Sequence, residues 1–329
     1  MANRNLSVAK KNMDDEFYTE LQDIIGEIVQ HKDYVRQFQG KTVLCNCDDP
    51  EWSAFVEFFR AFFSKLGLKK VICTHFEPDG KPSYKLEWSG KKLTDNTLEI
   101  VKTPLQGNGD FRSHECIALL EEADIVVTNP PFSIAREAFL PLLYEYGKKF
   151  VLIGDLNWPI YRDIFPLFKD GKMFFGYRAV KEFRVPDGKE GKNVYVRDGV
   201  TYEKFGNKVW YTNLDLDKHH EPLVLTKNYT GNEDKYPRCE NYDAIECKYL
   251  VDVPKDYFGV IAVPVTYLSK HCPEQFNIIW QASGNTRASA PKEVLEYLHY
   301  RRHDLDRGGC CVVNGTRKYS RILIQRKVD

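Results

Sequence analysis

At 329 residues the chain can bury the core of one large α/β domain with an appendage, or of two modest domains. Lysine plus arginine balances aspartate plus glutamate at 47 each, with a pI near 7.1, which excludes a globally basic nucleic-acid binder and confines any such contact to a local patch. The polar start, residues 1–11, has no apolar targeting core, and no run is long enough to span a bilayer, so a cytoplasmic chain with no membrane partner is expected.

Short β-branched runs alternate with amphipathic stretches from residue 41 to about 177, the pattern of an α/β, doubly wound parallel sheet. Five strands are predicted, over residues 41–47, 69–76, 97–103, 124–128 and 149–155. Asp49-Pro50-Glu51 reads as a helix start, a capping carboxylate followed by a proline in the first turn, and Phe55, Phe58, Phe59, Phe62 and Phe63 follow at helical spacing as a core stripe. Residues 82–96 read as a hairpin around Ser89-Gly90, where a helix would complete the alternating pattern. Ser133 is the expected cap of a helix whose apolar face runs from Ile134 to Tyr146, with a kink at Pro141.

Beyond about residue 178 the pattern changes to strands and loops rich in Tyr, Asn, Gly and Pro. Two domains are therefore expected, 1–177 and a β-rich 178–329, with the last strands a candidate to complete the first sheet. A helix over 291–300 precedes a predicted strand pair, 310–314 and 319–326, joined through Asn314-Gly315. The nine cysteines show no paired C-x-x-C spacing and no histidines at ligand spacing, so reduced thiols and no metal are expected.

The chemistry concentrates at Asn129-Pro130-Pro131-Phe132, directly after the strand at 124–128 and so at the carboxyl edge where open α/β sheets bind ligands. An exocyclic amine on a base is a poor nucleophile because its lone pair is delocalised into the ring. Activating it needs acceptors for both amino hydrogens, which the Asn129 side-chain oxygen and the Pro130 carbonyl can supply, with Pro131 restricting the chain and Phe132 offering a stacking face. The tetrapeptide thus points to methyl transfer onto a planar amine. At the same edge, Asp110 and Phe111 can take the amino group and ring face of a cofactor adenine; Asn46, Asp48 and Asp49 follow the first strand; and Glu77, just past the second, is placed for ribose hydroxyls. Each of these has a plainer reading as turn, cap or solvated acid.

These residues, with further stretches, carry a resemblance to the EcoRI-type adenine-N6 DNA methyltransferase family that covers nearly the whole chain. The matching stretches are DEFYT at 15–19, LCNCDDP at 44–50, GNGDFRS at 107–113, DIVVTNPPFS at 124–133, WYTNLD at 210–215, NYDAI at 241–245, PEQF at 273–276 and RILI at 321–324. The resemblance implies a Rossmann-like methyltransferase sheet, S-adenosylmethionine as cofactor, transfer to adenine N6 in double-stranded DNA by base flipping, and a C-terminal target-recognition region. It also implies a bacterial or phage-encoded chain, with a cognate restriction endonuclease as a partner in function only. Phe17, Tyr18 and Thr19 match the family's segment that closes over the methionine end of the cofactor. The usual glycine-rich turn after the first strand is replaced here by glycine-free LCNCDDP. No cysteine directly follows a proline, so direct transfer without a cysteine adduct is expected.

Two other readings stay open at this point: methyl transfer to another planar amine, such as rRNA guanine N2 or protein glutamine, and a non-catalytic DNA-binding accessory subunit. For DNA contact, residues 287–326 carry nine Lys/Arg against four Asp/Glu with tyrosine and histidine interleaved, and residues 178–208 are a second, more dilute candidate.

Overall fold

The computed structural model describes residues 17–47, 49–92 and 97–328. They form two compact units, one built from residues up to 156 together with 175–214, the other from 157–174 and 215–329.

The first unit opens with a short helix, α1 (Leu21–Ile24), that runs on as a π-helical turn (Ile25–Val29) and is followed by α2 (Lys32–Phe38). Next come β1 (Thr42–Cys45), α3 (Ala54–Leu66), β2 (Lys70–Thr74), β3 (Tyr84–Trp88), β4 (Val101–Pro104), α4 (His114–Glu122) and β5 (Ile125–Thr128). A second π-helical turn (Ala135–Phe139) leads into α5 (Leu140–Glu145), then β6 (Lys149–Asp155). Three further strands, β7 (Phe174–Arg184), β8 (Val194–Arg197) and β9 (Val200–Thr212), complete one sheet in the order β4-β3-β2-β1-β5-β6-β9-β7, with β8 paired to β9.

Strands β2, β1, β5 and β6 are mutually parallel, and their apolar runs are buried almost throughout. That is the burial expected of strands covered on both faces. The phenylalanine stripe of α3 contributes to this core, with Phe55, Phe58, Phe59 and Phe63 buried. The mixed α/β architecture agrees with a Rossmann-like methyltransferase sheet, but four local expectations are corrected.

First, the stretch at 97–103 yields β4, which is not a parallel neighbour of β2: the antiparallel strand β3 lies between them, and β3 and β4 form a hairpin in register 84↔104 to 87↔101. Two reversals leave β4 running in the same direction as β2, so the loop after it still emerges at the carboxyl edge. Second, the cap of α3 is Ser53, whose hydroxyl accepts from Phe55 N–H at 3.1 Å; Asp49 instead closes a turn ahead of the helix, accepting from Glu51 N–H at 3.0 Å. Third, the helix after the Asn-Pro-Pro-Phe stretch begins one position beyond Ser133, with Ile134 at its N-cap, and Pro141 stands in the first turn of α5, where its missing N–H costs little. Fourth, the boundary at 177/178 falls inside β7. The long antiparallel strands β7 and β9 belong to the first sheet because β9 pairs along β6 from Val151↔Thr212 to Asp155↔Lys208.

The second unit contains α6 (Phe165–Lys169), β10 (Ala244–Glu246), β11 (Val260–Pro264), β12 (Phe276–Ala282), α7 (Thr286–Ser289), α8 (Lys292–Tyr297), β13 (Val312–Val313), β14 (Thr316–Arg317) and β15 (Arg321–Arg326). Its sheet has the order β10-β11-β15-β12, so the last strand completes this sheet and not the first. The Asn314-Gly315 turn does make a hairpin, at φ +50° and +63°, but it joins β13 to β14, and β15 pairs elsewhere. Cys239 and Cys311 form a disulfide in this unit, against the expectation of reduced thiols. Seventy-two residues separate them, so no local spacing announces the pair. No helix among the described residues is long and apolar enough to cross a membrane.

Candidate active site

Strand β5 is buried at every position between β1 and β6, and the chain leaves it at Asn129, itself 7 % exposed. The Asn129 side chain donates from Nδ2 to the Phe17 carbonyl at 2.7 Å. A carbonyl can only accept, so this contact fixes which end of the amide is nitrogen and makes Oδ1 the acceptor end. The Pro131 carbonyl is committed to the following helical turn, accepting from Ile134 N–H at 3.1 Å and Ala135 N–H at 2.9 Å. Of the two proline carbonyls, Pro130's is therefore the candidate second acceptor.

Phe132 lies in a cluster of four phenylalanines: Phe17 stacks on it at 5.3 Å between centroids, and Phe183 and Phe205 meet it edge-on at 5.6 and 6.2 Å. The Lys208 ammonium lies 3.9 Å from the centre of the Phe132 ring, and the Lys189 ammonium 4.1 Å from that of Phe17. Lys208 is buried on β9 opposite Asp155, the last residue of β6, with Nζ to Oδ2 3.5 Å, and Asn207 donates to the same oxygen at 2.6 Å. Burial makes this lysine costly unless it is paired, which the carboxylate and ring face accomplish. Sequence reasoning missed Phe183, Phe205, Lys208 and Asp155. They lie far from the tetrapeptide in sequence and are assembled by antiparallel pairing that no motif encodes; the acid ending the 149–155 strand was the only local signal.

Phe17, expected at the cofactor, is seated on Asn129 and Phe132. Its neighbour Tyr18 is pinned to the end of β7 through a reciprocal backbone pair with Arg184, at 2.8 and 3.0 Å. Thr19 follows, 5 % exposed, with a buried hydroxyl that has no hydrogen-bond partner.

The loops after β1, β2 and β4 meet. Asp49 Oδ2 lies 3.4 Å from His75 Nε2, and Glu77 N–H donates to the Asn108 carbonyl at 2.8 Å. Gly109, at φ +79°, lies so close to the His75 carbonyl that a Cβ would approach its oxygen to 1.8 Å. At the strand ends, Asn46 Nδ2 and Thr74 Oγ1 are both buried without a hydrogen-bond partner. Buried polar atoms without partners call for an explanation, and a bound polar ligand would supply one. Glu77 turns its carboxylate toward Asp79 N–H at 3.3 Å, and Asp48 lies outside the described residues.

Asp110 is held by Arg112, with Nε to Oδ1 2.9 Å and Nη2 to Oδ2 2.6 Å, and also accepts from Arg112 N–H at 2.9 Å. A carboxylate offers about four acceptor sites, so these bonds leave room for one further donor on Oδ2. Phe111 is 4 % exposed and packs edge-on against Phe139 at 5.1 Å, a position in the core that leaves little face for a cofactor ring. Because Gly109 both needs a left-handed backbone and touches His75, Gly109→Ala should separate the loops carrying Glu77 and Asp110. The expected result is cofactor binding weakened about tenfold or more by titration calorimetry; unchanged affinity would show that these loops do not form the cofactor site.

Residues 5–327 match the family described as adenine-specific methyltransferase EcoRI. The chain is 40 % identical over 295 residues to the Type II methyltransferase M.EcoRI of Escherichia coli, covering 84 % of this chain and 89 % of that protein. It is 38 % identical over 327 residues to the Type II methyltransferase M.MpnI of Mycoplasma pneumoniae, covering 97 % of each. With the Type II methyltransferase M.MgeORF184P of Mycoplasma genitalium it shares 35 % identity over 330 residues, 97 % of this chain and 98 % of that one. No solved structure matches it.

Proposed function

The chain belongs to the EcoRI family of adenine-specific methyltransferases, and from that premise we propose that it methylates N6 of an adenine flipped out of duplex DNA, with S-adenosylmethionine as cofactor. The observation that carries the reading is the Asn129 amide held by the Phe17 carbonyl, because it turns an acceptor oxygen toward substrate at the carboxyl edge of β5.

Asn129 Oδ1 and the Pro130 carbonyl accept the two N6 hydrogens, drawing the lone pair out of conjugation with the ring. Phe132, flanked by Phe183 and Phe205, provides the aromatic surface for the extrahelical base, and the Lys208 ammonium lies beside that surface as a cation for the base to meet. Phe17 stacks on the same ring, so base entry requires it to move aside.

The residues at the ends of β1 and β2 fit the cofactor. Asn46 Nδ2, a buried donor without an acceptor, suits a carboxylate; the buried hydroxyls of Thr74 and Thr19 suit its polar groups; Asp110 keeps one acceptor position for an amino group. Asp49 and Glu77 stand around the same loops as the candidates for the amino end and the ribose. When bound, S-adenosylmethionine supplies an electrophilic methyl group on a sulfonium, and no protein thiol is enlisted in the transfer. The catalytic unit comprises the first sheet with its N-terminal segment, and the second unit is the target-recognition region. Its likeness to proteins named Type II methyltransferases supports a restriction endonuclease that cuts the unmethylated site as its functional counterpart.

Purified protein should transfer labelled methyl from S-adenosylmethionine to duplex DNA, and sequencing that detects N6-methyladenine should find it at one recurring site. Transfer to RNA or protein with none to DNA would sink the proposal.

A further inference from the structure

One short loop of the second unit, residues 299–307 (HYRRHDLDR), concentrates three exposed arginines, Arg301, Arg302 and Arg307. No carboxylate among the described residues pairs with any of the three. The loop is nevertheless tightly held. Asp306, 1 % exposed, takes the Tyr300 hydroxyl and the N–H groups of His303 at 3.3 Å and Gly308 at 3.0 Å, and stands 3.4 Å from the Arg287 guanidinium. At its start, Arg301 N–H donates to the Asn241 carbonyl at 3.0 Å. At its far end, Gly308 and Gly309 (φ +101° and +121°) press against Gly284 and Thr286 so closely that a Cβ would come within 2.1 Å and 2.6 Å of them.

Two of the four non-glycine residues with positive φ among the described residues, His299 (+46°) and Arg307 (+43°), bracket the loop. A left-handed backbone at such residues is unfavourable and persists only where its surroundings over-determine it. A rigid, strained support beneath uncommitted cations is more than phosphate attraction requires, since flexible lysines serve that purpose equally well. Reading a base edge does require it: the planar guanidinium must meet guanine O6 and N7 with both bonds at fixed angles. The loop contains arginine and no lysine.

Building on the proposed action on duplex DNA, we propose that residues 299–307 form a preorganised specificity loop whose arginines enter a groove and read guanine in the recognition sequence, with Asp306 as the positioning residue. Arg301, Arg302 and Arg307 each receive an alanine and a lysine substitution, and methyl transfer is measured on a duplex carrying the wild-type site and on every single-base-pair variant of it.

For at least one arginine, both substitutions should relax discrimination at one guanine-containing position by roughly tenfold to a hundredfold. The wild-type protein should lose a comparable factor on a duplex with 7-deazaguanine at that position. Asp306→Asn should relax the same position while leaving S-adenosylmethionine affinity unchanged. If all six arginine variants keep wild-type discrimination, or lose activity uniformly over all sequences with a shallower salt dependence, the loop does not read bases and the inference is overturned. Failure of the underlying reading looks different, because then the wild-type protein methylates no DNA at all.

Discussion

Asn129→Ala is expected to lower methyl transfer to duplex DNA by at least about a hundredfold to a thousandfold, the scale seen when one preorganised polar contact to a reacting group is removed. The substitution deletes the acceptor proposed for one N6 hydrogen and the donor to the Phe17 carbonyl at once. It leaves the loops after β1, β2 and β4 untouched, so S-adenosylmethionine affinity should change less than about threefold, a factor worth about 0.7 kcal/mol. Asn129→Asp separates the two roles. A carboxylate can still accept from N6 but sets an anionic oxygen against the Phe17 carbonyl, so an intermediate rate is expected together with a loosened N-terminal segment. Single-turnover transfer measures the chemistry, and calorimetry measures the cofactor. An alanine variant retaining a third or more of the wild-type rate would remove Asn129 from the mechanism.

The tetrapeptide was legible because its context is local. A buried β-branched run, an Asn-Pro-Pro-Phe sequence and a helix follow one another within about twenty residues, and the strand at 125–128 lies where periodicity puts it. The parallel strands β1, β2 and β6 were legible for the same reason, since strands covered on both faces are continuously apolar. What pairs with what was not. β7 alternates loosely, while the half of β9 that runs along β6 is buried throughout; neither pattern says which sheet a strand joins, so the sequence alone puts the boundary at 177. Lys208 followed that error: in a segment read as a dilute basic patch for DNA, it is a buried cation over the Phe132 ring. Phe17 is legible through its family match alone; what the sequence does not show is the Tyr18–Arg184 backbone pair, which anchors the segment where the Phe17 carbonyl meets Asn129.

The anchor of that segment depends in turn on a buried carboxylate, Glu27, whose loss should cost at least about 3 kcal/mol of stability, since leaving a buried donor without its acceptor costs about 1–3 kcal/mol and Glu27 serves three. Glu27 is 0 % exposed on the π-helical turn after α1, and it accepts the Tyr34 hydroxyl at 2.9 Å and the N–H groups of Tyr177 and Arg178, each at 2.8 Å. β7 is the terminal strand of its sheet, and Glu27 gives two of its N–H groups an acceptor inside the protein. Gly176 leaves the room: a Cβ there would come within 2.3 Å of the Glu27 carboxylate. In Glu27→Ala the Tyr34 hydroxyl and two backbone donors lose their acceptor inside the protein, and each such loss costs about 1–3 kcal/mol, less whatever water recovers. Glu27→Gln keeps the shape and one carbonyl oxygen but turns an amide N–H₂ toward a donor, so about half the penalty is expected. Urea unfolding of the two variants without cofactor measures both values. Because β7 also carries Phe183 and the backbone partner of Tyr18, the same variants should lose transfer activity before they lose fold. An alanine variant within about 0.5 kcal/mol of wild type would mean that water replaces the carboxylate at this edge.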